Sequence, residues 1–217
     1  FDTETTGLNP REDKIIGLSF CFKKGEAFYC PVSEDESILK LYEPFFNHSK
    51  ILKIAHNIKF DAAILKSNDI SIDGPIFDTM IAHYLLQPEQ RHSMDILAAN
   101  YLSYKPISIE SLIGKKGKNQ KSLNEIPLDV VKDYAAEDAD VTFQLYTIFK
   151  QLLEEGEIDQ LFYEIEMPLT MVLMEMEHEG IRLNTATLST FSSQLKASIL
   201  SLKSSIYSHA SSNFNID

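Results

Sequence analysis

Apolar and aromatic residues crowd two runs near the start of the chain, residues 15–22 and 26–31, on either side of Lys24-Gly25, and this predicts a β-hairpin. Ahead of it, Phe1-Asp2-Thr3-Glu4 reads as the end of a strand, closed by the turn residues Gly7-Leu8-Asn9-Pro10. Residues 33–47 predict a first helix with Leu39, Tyr42, Phe45 and Phe46 on its inner face, and residues 51–55 a short buried strand. The chain then turns helical. Asn57 stands at the N-cap of a helix carrying Phe60, Asp61, Ile64 and Leu65; Asp78-Thr79 opens another through Leu86; Ser93 caps a third through Leu102. A loop containing Lys115, Lys116, Lys118 and Lys121 precedes the longest periodic segment, residues 128–155, which Gly156 ends.

Beyond Gly156 the pattern is helical only. Residues 158–179 predict a helix with a break at Pro168 and a stop at Gly180, and Thr185 is the expected cap of a final helix. There Leu188, Phe191, Leu195, Ile199, Leu202 and Ile206 recur at three- and four-residue steps, an apolar stripe that implies a partner surface. The expected organisation is one α/β domain over residues 1–156, followed by a truncated helical region over 157–217. A first residue of Phe inside a strand reads as a fragment of something longer.

Composition narrows the classes. A hydrophobic share of 44% supports a sizeable core and excludes a disordered or collagen-like chain. The longest apolar runs fall short of about 18 residues, so no membrane span is predicted. Two cysteines are too few for a disulfide framework, and Cys21 is expected to face Phe28 across the hairpin rather than Cys30, so both read as reduced and the protein as cytoplasmic. With 20 Lys+Arg against 32 Asp+Glu the net charge is −12, which argues against a broadly basic face that coats nucleic acid.

The position of particular acids changes that reading. Asp2 and Glu4 are two apart on a strand, so they project to one face, where two like charges are costly unless a cation sits between them; taken alone, the pair is sufficiently explained by a solvated strand end. On the long helix Asp138 lies on the stripe of Tyr134, Val141, Leu145, Ile148 and Leu152 that should face the core, where a carboxylate requires a ligand. Asp133, Glu137 and Asp140 lie on a neighbouring stripe that solvent explains. Asp61, near the start of its helix, also has a bland explanation in the helix dipole and is a weak signal by itself.

Taken together, FDTETTG, HNIKFD and YAAEDAD resemble, in order and spacing, the three motifs of the proofreading 3′→5′ exonuclease domain of family A DNA polymerases, the bacterial DNA polymerase I type. Residues 165–169 (IEMPL) and Glu179-Gly180-Ile181 resemble the passage from that domain into the polymerase thumb, which separates it from ribonuclease D-like RNA exonucleases. All the acids are present, unlike a catalytically silent DNA-binding or scaffold domain. The resemblance implies a ribonuclease H-like α/β fold, a mixed sheet of about five strands flanked by helices with a C-terminal helical extension. It implies two divalent metal ions, Mg²⁺ or Mn²⁺: one held by Asp2, Glu4 and Asp138 that activates water oriented by Tyr134, the other held by Asp2 and Asp61 that stabilises the leaving 3′ oxygen. The implied substrate is a single-stranded or frayed 3′ end of DNA, with Leu8 as a wedge and Asn57 as a strand contact. The implied partner is the polymerase domain of the same bacterial parent chain, in a soluble, monomeric protein.

Overall fold

The computed structural model describes residues 1–32, 36–115, 117 and 120–216. Strand β1 (Asp2–Thr5) pairs antiparallel with β2 (Ile15–Lys23), which pairs antiparallel with β3 (Glu26–Pro31). Gly25, at φ +78°, makes the tight turn between β2 and β3, and Lys23 pairs with Glu26. A bulge between Cys21 and Lys23 shifts the register, so Phe20 rather than Cys21 faces Phe28, and Cys21 faces Ala27. Both cysteines are free.

The predicted helix over 33–47 is different. Residues 33–35 lie outside the described residues; Glu36–Tyr42 forms a 3₁₀ helix and Glu43–Phe46 a single α turn, α1. Pro44, in the first turn of α1, has no N–H to carry a continuous α ladder through from the preceding turn. β4 (Lys53–Ala55) then pairs parallel with β5 (Ile76–Asp78), the two joined by α2 (Ile58–Ser67). The five expected strands are thus present as an antiparallel triplet and a parallel pair. The groups meet where the Phe1 backbone nitrogen donates to the Ile54 carbonyl at 2.7 Å.

Helix α3 (Thr79–Leu86) follows β5 directly. After it come α4 (Met94–Leu97), a π turn over Ala98–Leu102, and α5 (Ile109–Ile113). The π turn shortens the predicted Ser93-capped helix, and the Ser93 side chain makes no capping bond. Helix α6 (Leu128–Glu155) matches its predicted limits and turns Val131, Ala135, Asp138, Val141, Leu145, Phe149 and Leu153 inward. The same core holds Leu18, Phe20, Phe46 and Phe77, each burial worth about 1.5–3 kcal/mol; Phe77 meets Tyr146 of α6, and Phe20 packs on Phe45 of α1.

Past Gly156, α7 (Asp159–Leu161) leads into a π turn over Phe162–Glu166 and then α8 (Met167–Glu179). The π turn lies just before Pro168, where the ordinary ladder loses its donor. Phe162 is fully buried in the main core, and Met174 packs with Ala62 and Ala63 of α2. Lys59–Glu177, at 2.6 Å, and Lys66–Glu175 pair α2 with α8. The segment from 158 to 178, expected to belong to the helical region beyond the α/β domain, therefore also supports α2.

By packing, the chain divides into Phe1–His178 and Glu179–Asp217. In the second unit, α9 (Thr185–Ala210) is capped by Asn184, whose side chain accepts from the Thr187 N–H at 3.0 Å; the cap lies one residue before the predicted Thr185. Leu188, Phe191, Leu195, Ile199, Leu202 and Ile206 are all exposed. Among the described residues no helix is long and apolar enough to cross a membrane.

Candidate functional site

Strand alternation and helix periodicity bring three acids together as expected. One carboxylate oxygen each from Asp2, Glu4 and Asp138 lies within 4.8 Å of the other two. Glu4 is 6% exposed and Asp138 8%. Glu4 Oε1 is buried with no hydrogen-bond partner among the described residues, an expensive state for a carboxylate oxygen. Hard oxygen ligands, mutual proximity and an orphaned buried oxygen fit a hard divalent cation.

The electrostatics agree. Burial pushes the Asp2 carboxyl up to about 6. Burial and then the Asp2 charge push Asp138 up to about 8, while the Tyr134 hydroxyl beside it pulls the other way. Glu4 is raised well above the ordinary range by burial and by Asp2, Asp138 and Asp61. Without a cation these acids do not all ionise at neutral pH; a divalent ion inverts that balance. Tyr134 is half-buried, its phenol held protonated by burial and by the Asp138 charge.

Asp61 stands beside this group but is not one of the three. Its Oδ1 accepts from the Thr3 backbone N–H at 3.1 Å and from Thr3 Oγ1 at 2.6 Å. Burial and then the Asp2 charge raise its pKa well above the ordinary range. The helix-dipole explanation is incomplete for Asp61, because it also closes the edge of β1.

Asn57 sits at the predicted N-cap of α2 in the left-handed conformation, φ 68°, which makes the sharp turn from strand to helix. Its side chain makes no capping bond. Asp78 at the end of β5 supplies the cap instead: it accepts from Asn57 N at 3.1 Å and Ile58 N at 2.8 Å, and also from Met80 N at 2.8 Å and Ile81 N at 3.3 Å. One buried carboxylate therefore caps α2 and α3 together. The sequence signals only its role toward α3.

Leu8 is 88% exposed on the loop after β1. Asp13 organises that loop, accepting from Thr6 Oγ1 and from Asn9 N, each at 2.8 Å. A Cβ on Gly7 would come within 2.6 Å of the Asp13 carboxylate. His56 has its Nδ1 2.9 Å from Thr79 Oγ1, and burial pushes its imidazole down to about 4, so it is neutral. Of the lysine-rich loop, Lys116 and Lys118 lie outside the described residues, while Lys115 and Lys121 are exposed.

The stripe ascribed to solvent is more specific than its spacing shows. Glu137 accepts from the Tyr104 hydroxyl and, at 2.5 Å, from Ile107 N. Asp140 accepts from Gly25 N at 2.7 Å and from Gln144 at 2.8 Å. These two acids fasten α6 to the loop after the π turn and to the hairpin tip. Their partners are distant in sequence, so no local pattern reveals them.

Comparison with known proteins fits this geometry. A family model described as 3′-5′ exonuclease matches residues 1–154. DNA polymerase I of Borreliella burgdorferi is 40% identical over 190 residues, covering 84% of this chain and 20% of that protein. DNA polymerase I of Pseudomonas aeruginosa is 33% identical over 230 residues, covering 100% of this chain and 25% of that protein. The chain thus spans about a fifth to a quarter of the length of these curated relatives. Among solved structures, the Pol1 POL domain of M. smegmatis aligns with TM-score 0.78 at 20% identity, covering 98% of this chain and 34% of that one. Brucella melitensis NrnC aligns at 0.67 and 24% identity, covering 82% and 84%; at these identities both show the fold alone. Because the exonuclease model spans more than two thirds of the sequence, this chain belongs to the 3′-5′ exonuclease family and is a hydrolytic nuclease domain of that kind.

Proposed function

We propose that the chain is the proofreading 3′→5′ exonuclease of a DNA polymerase I, removing nucleoside 5′-monophosphates from single-stranded or frayed 3′ ends. The observation that carries this reading is the trio of Asp2, Glu4 and Asp138 around the unpartnered Glu4 Oε1. Asp2, Glu4 and Asp138 would hold one divalent ion, Mg²⁺ or Mn²⁺, and Asp2 with Asp61 a second. When bound, the ions supply an activated nucleophile near neutral pH and neutralise charge on the leaving 3′ oxygen. Tyr134, protonated beside Asp138, orients the attacking water by hydrogen bonding. Exposed Leu8 wedges against the terminal bases, and the Asn57 side chain, free of a capping bond, contacts the strand.

Selectivity for mispaired ends follows from the cost of unpairing a terminal nucleotide, which is least when it is mismatched. The functional boundary belongs near Gly156, with residues 157–217 serving the adjoining polymerase region. The remainder of the parent chain provides the basic surface for duplex DNA that a chain of net charge −12 lacks.

The test is to incubate the chain and its Asp138→Ala form with 3′-labelled single-stranded DNA and RNA oligomers, with Mg²⁺ or with chelator. The expected result is metal-dependent release of mononucleotides from DNA by the unmodified chain only. No release from DNA with metal present overturns the enzymatic reading, and preferential release from RNA redirects it to RNA trimming.

A further inference from the structure

Thr3 lies between Asp2 and Glu4 but faces a different task. Along a strand, alternate N–H groups point to opposite edges. The Phe1 nitrogen bonds Ile54 of β4, so the Thr3 N–H points to that same edge, away from β2. By that level the chain has left β4 at Ala55 and turned through Asn57 into α2. Among the described residues no strand remains to receive the Thr3 N–H. The Asp61 carboxylate takes the place of the missing ladder partner, with Oδ1 accepting both the N–H and the hydroxyl of Thr3. Thr3 and Asp61 are both buried, at 7% and 2% exposure.

Two donors from one residue converging on a single oxygen fix the carboxylate about its last rotatable bond. They also leave Oδ2 as the oxygen available to an outside ligand. We propose that Thr3 is a positioning residue: by holding Oδ1 of Asp61 it presents Oδ2 to a divalent ion on the Asp61 side of the site. This rests on the exonuclease reading above. It assigns a distinct purpose to the residue between two metal-binding acids, and it makes the ion on the Asp61 side depend on a hydroxyl that does not itself touch the ion. The ion held by Asp2, Glu4 and Asp138 has no such dependence.

The test uses Mn²⁺ titration calorimetry on the whole chain at pH 8, with the unmodified protein, Thr3→Val and Thr3→Ser. Valine keeps the shape and the backbone N–H but removes the hydroxyl; serine restores it. Melting curves with chelator verify that the variants fold. The unmodified chain is expected to show two binding events. In Thr3→Val the weaker event should lose about 10–100-fold in affinity, the range for removing a group that orients a metal ligand, while the tighter event stays in place. Thr3→Ser should recover both, and kcat for single-stranded DNA should follow the weaker event with little change in KM.

Two equal binding events in Thr3→Val and the unmodified chain overturn the role of Thr3 and leave the exonuclease reading standing. A Thr3→Ser form as weak as Thr3→Val assigns the effect to packing and also overturns it. No Mn²⁺ binding by the unmodified chain overturns both readings together.

Discussion

Two strand ends of this molecule carry buried carboxylates, and they are opposite in kind. At the end of β5, Asp78 is fully buried, yet four backbone N–H groups converge on it and two helices start from it. On β1, Glu4 is buried almost as deeply, yet one of its oxygens has no partner and two more carboxylates crowd it. Burial pushes both acids up from their ordinary range. At Asp78 the donors offset that penalty; at Glu4 the neighbouring acids add to it. A shifted acid is therefore a poor guide to function by itself. What separates a structural carboxylate from a metal-binding one is the count of donors around it.

The sharpest way to break this contrast is to remove one acid from each group. Glu4→Gln and Asp138→Ala should each lower metal-dependent hydrolysis by more than about 100-fold, as expected when a direct ligand is lost. Glu4→Gln should leave metal-free melting nearly unchanged, because glutamine imitates the protonated acid. Asp78→Ala should do the reverse, costing about 2–4 kcal/mol in urea unfolding for two lost caps while the proposed metal ligands remain in place. Equal stability losses in Glu4→Gln and Asp78→Ala would erase the distinction.

A gentler probe is pH. Asp2, Asp138, Glu4 and Asp61 all have folded-state pKa values raised above the ordinary carboxylate range, so between about pH 4 and 8 these four acids bind more protons in the native state than in the unfolded one. Together they outweigh the neutral His56, which opposes them below about pH 6.5. Stability of the metal-free protein should therefore fall as pH rises through about 6, for Asp2, and about 8, for Asp138. Saturating Mn²⁺ should flatten that fall, and the melting shift it causes should grow with pH. A metal-free melting temperature that rises over this window would contradict the assigned electrostatics.

The smallest effect is expected from the outer acids of α6. Asp140→Ala removes the acceptor of Gly25 N and Gln144 and should cost about 1 kcal/mol, read by urea unfolding. Any loss of hydrolysis should be modest and uniform across substrates, since Asp140 fastens the helix rather than touching the reacting groups.

What the sequence could reveal follows the range of the interaction concerned. Helix α6 matched its predicted limits because 28 residues of periodic pattern average out local exceptions. Asp138 stood out because a carboxylate on an apolar stripe conflicts with a strong signal. Around Pro44 the apolar spacing predicts one helix and outweighs the single residue that lacks an N–H, which is what divides the segment. The bulge after Cys21 escaped because register depends on the turn and not on apolar runs alone. The cap at Asn184 differs from the expected Thr185 by one position, within the ambiguity of adjacent residues that both make good caps. The bonds of Glu137, Asp140, Asp78 and Asp61 to distant backbone groups left no local pattern at all. For Asp61 the motif resemblance pointed to the residue, but only the fold shows how Thr3 holds it.

The most direct test of the account is a Mn²⁺ binding isotherm on the chelator-treated chain at pH 8, run beside Glu4→Gln. The unmodified protein should bind saturably, and Glu4→Gln should lose the tighter event while melting like its parent without metal. A parent that shows no saturable binding, or a Glu4→Gln form that binds as its parent does, would contradict the claim that this buried acidic cluster is a divalent-ion site.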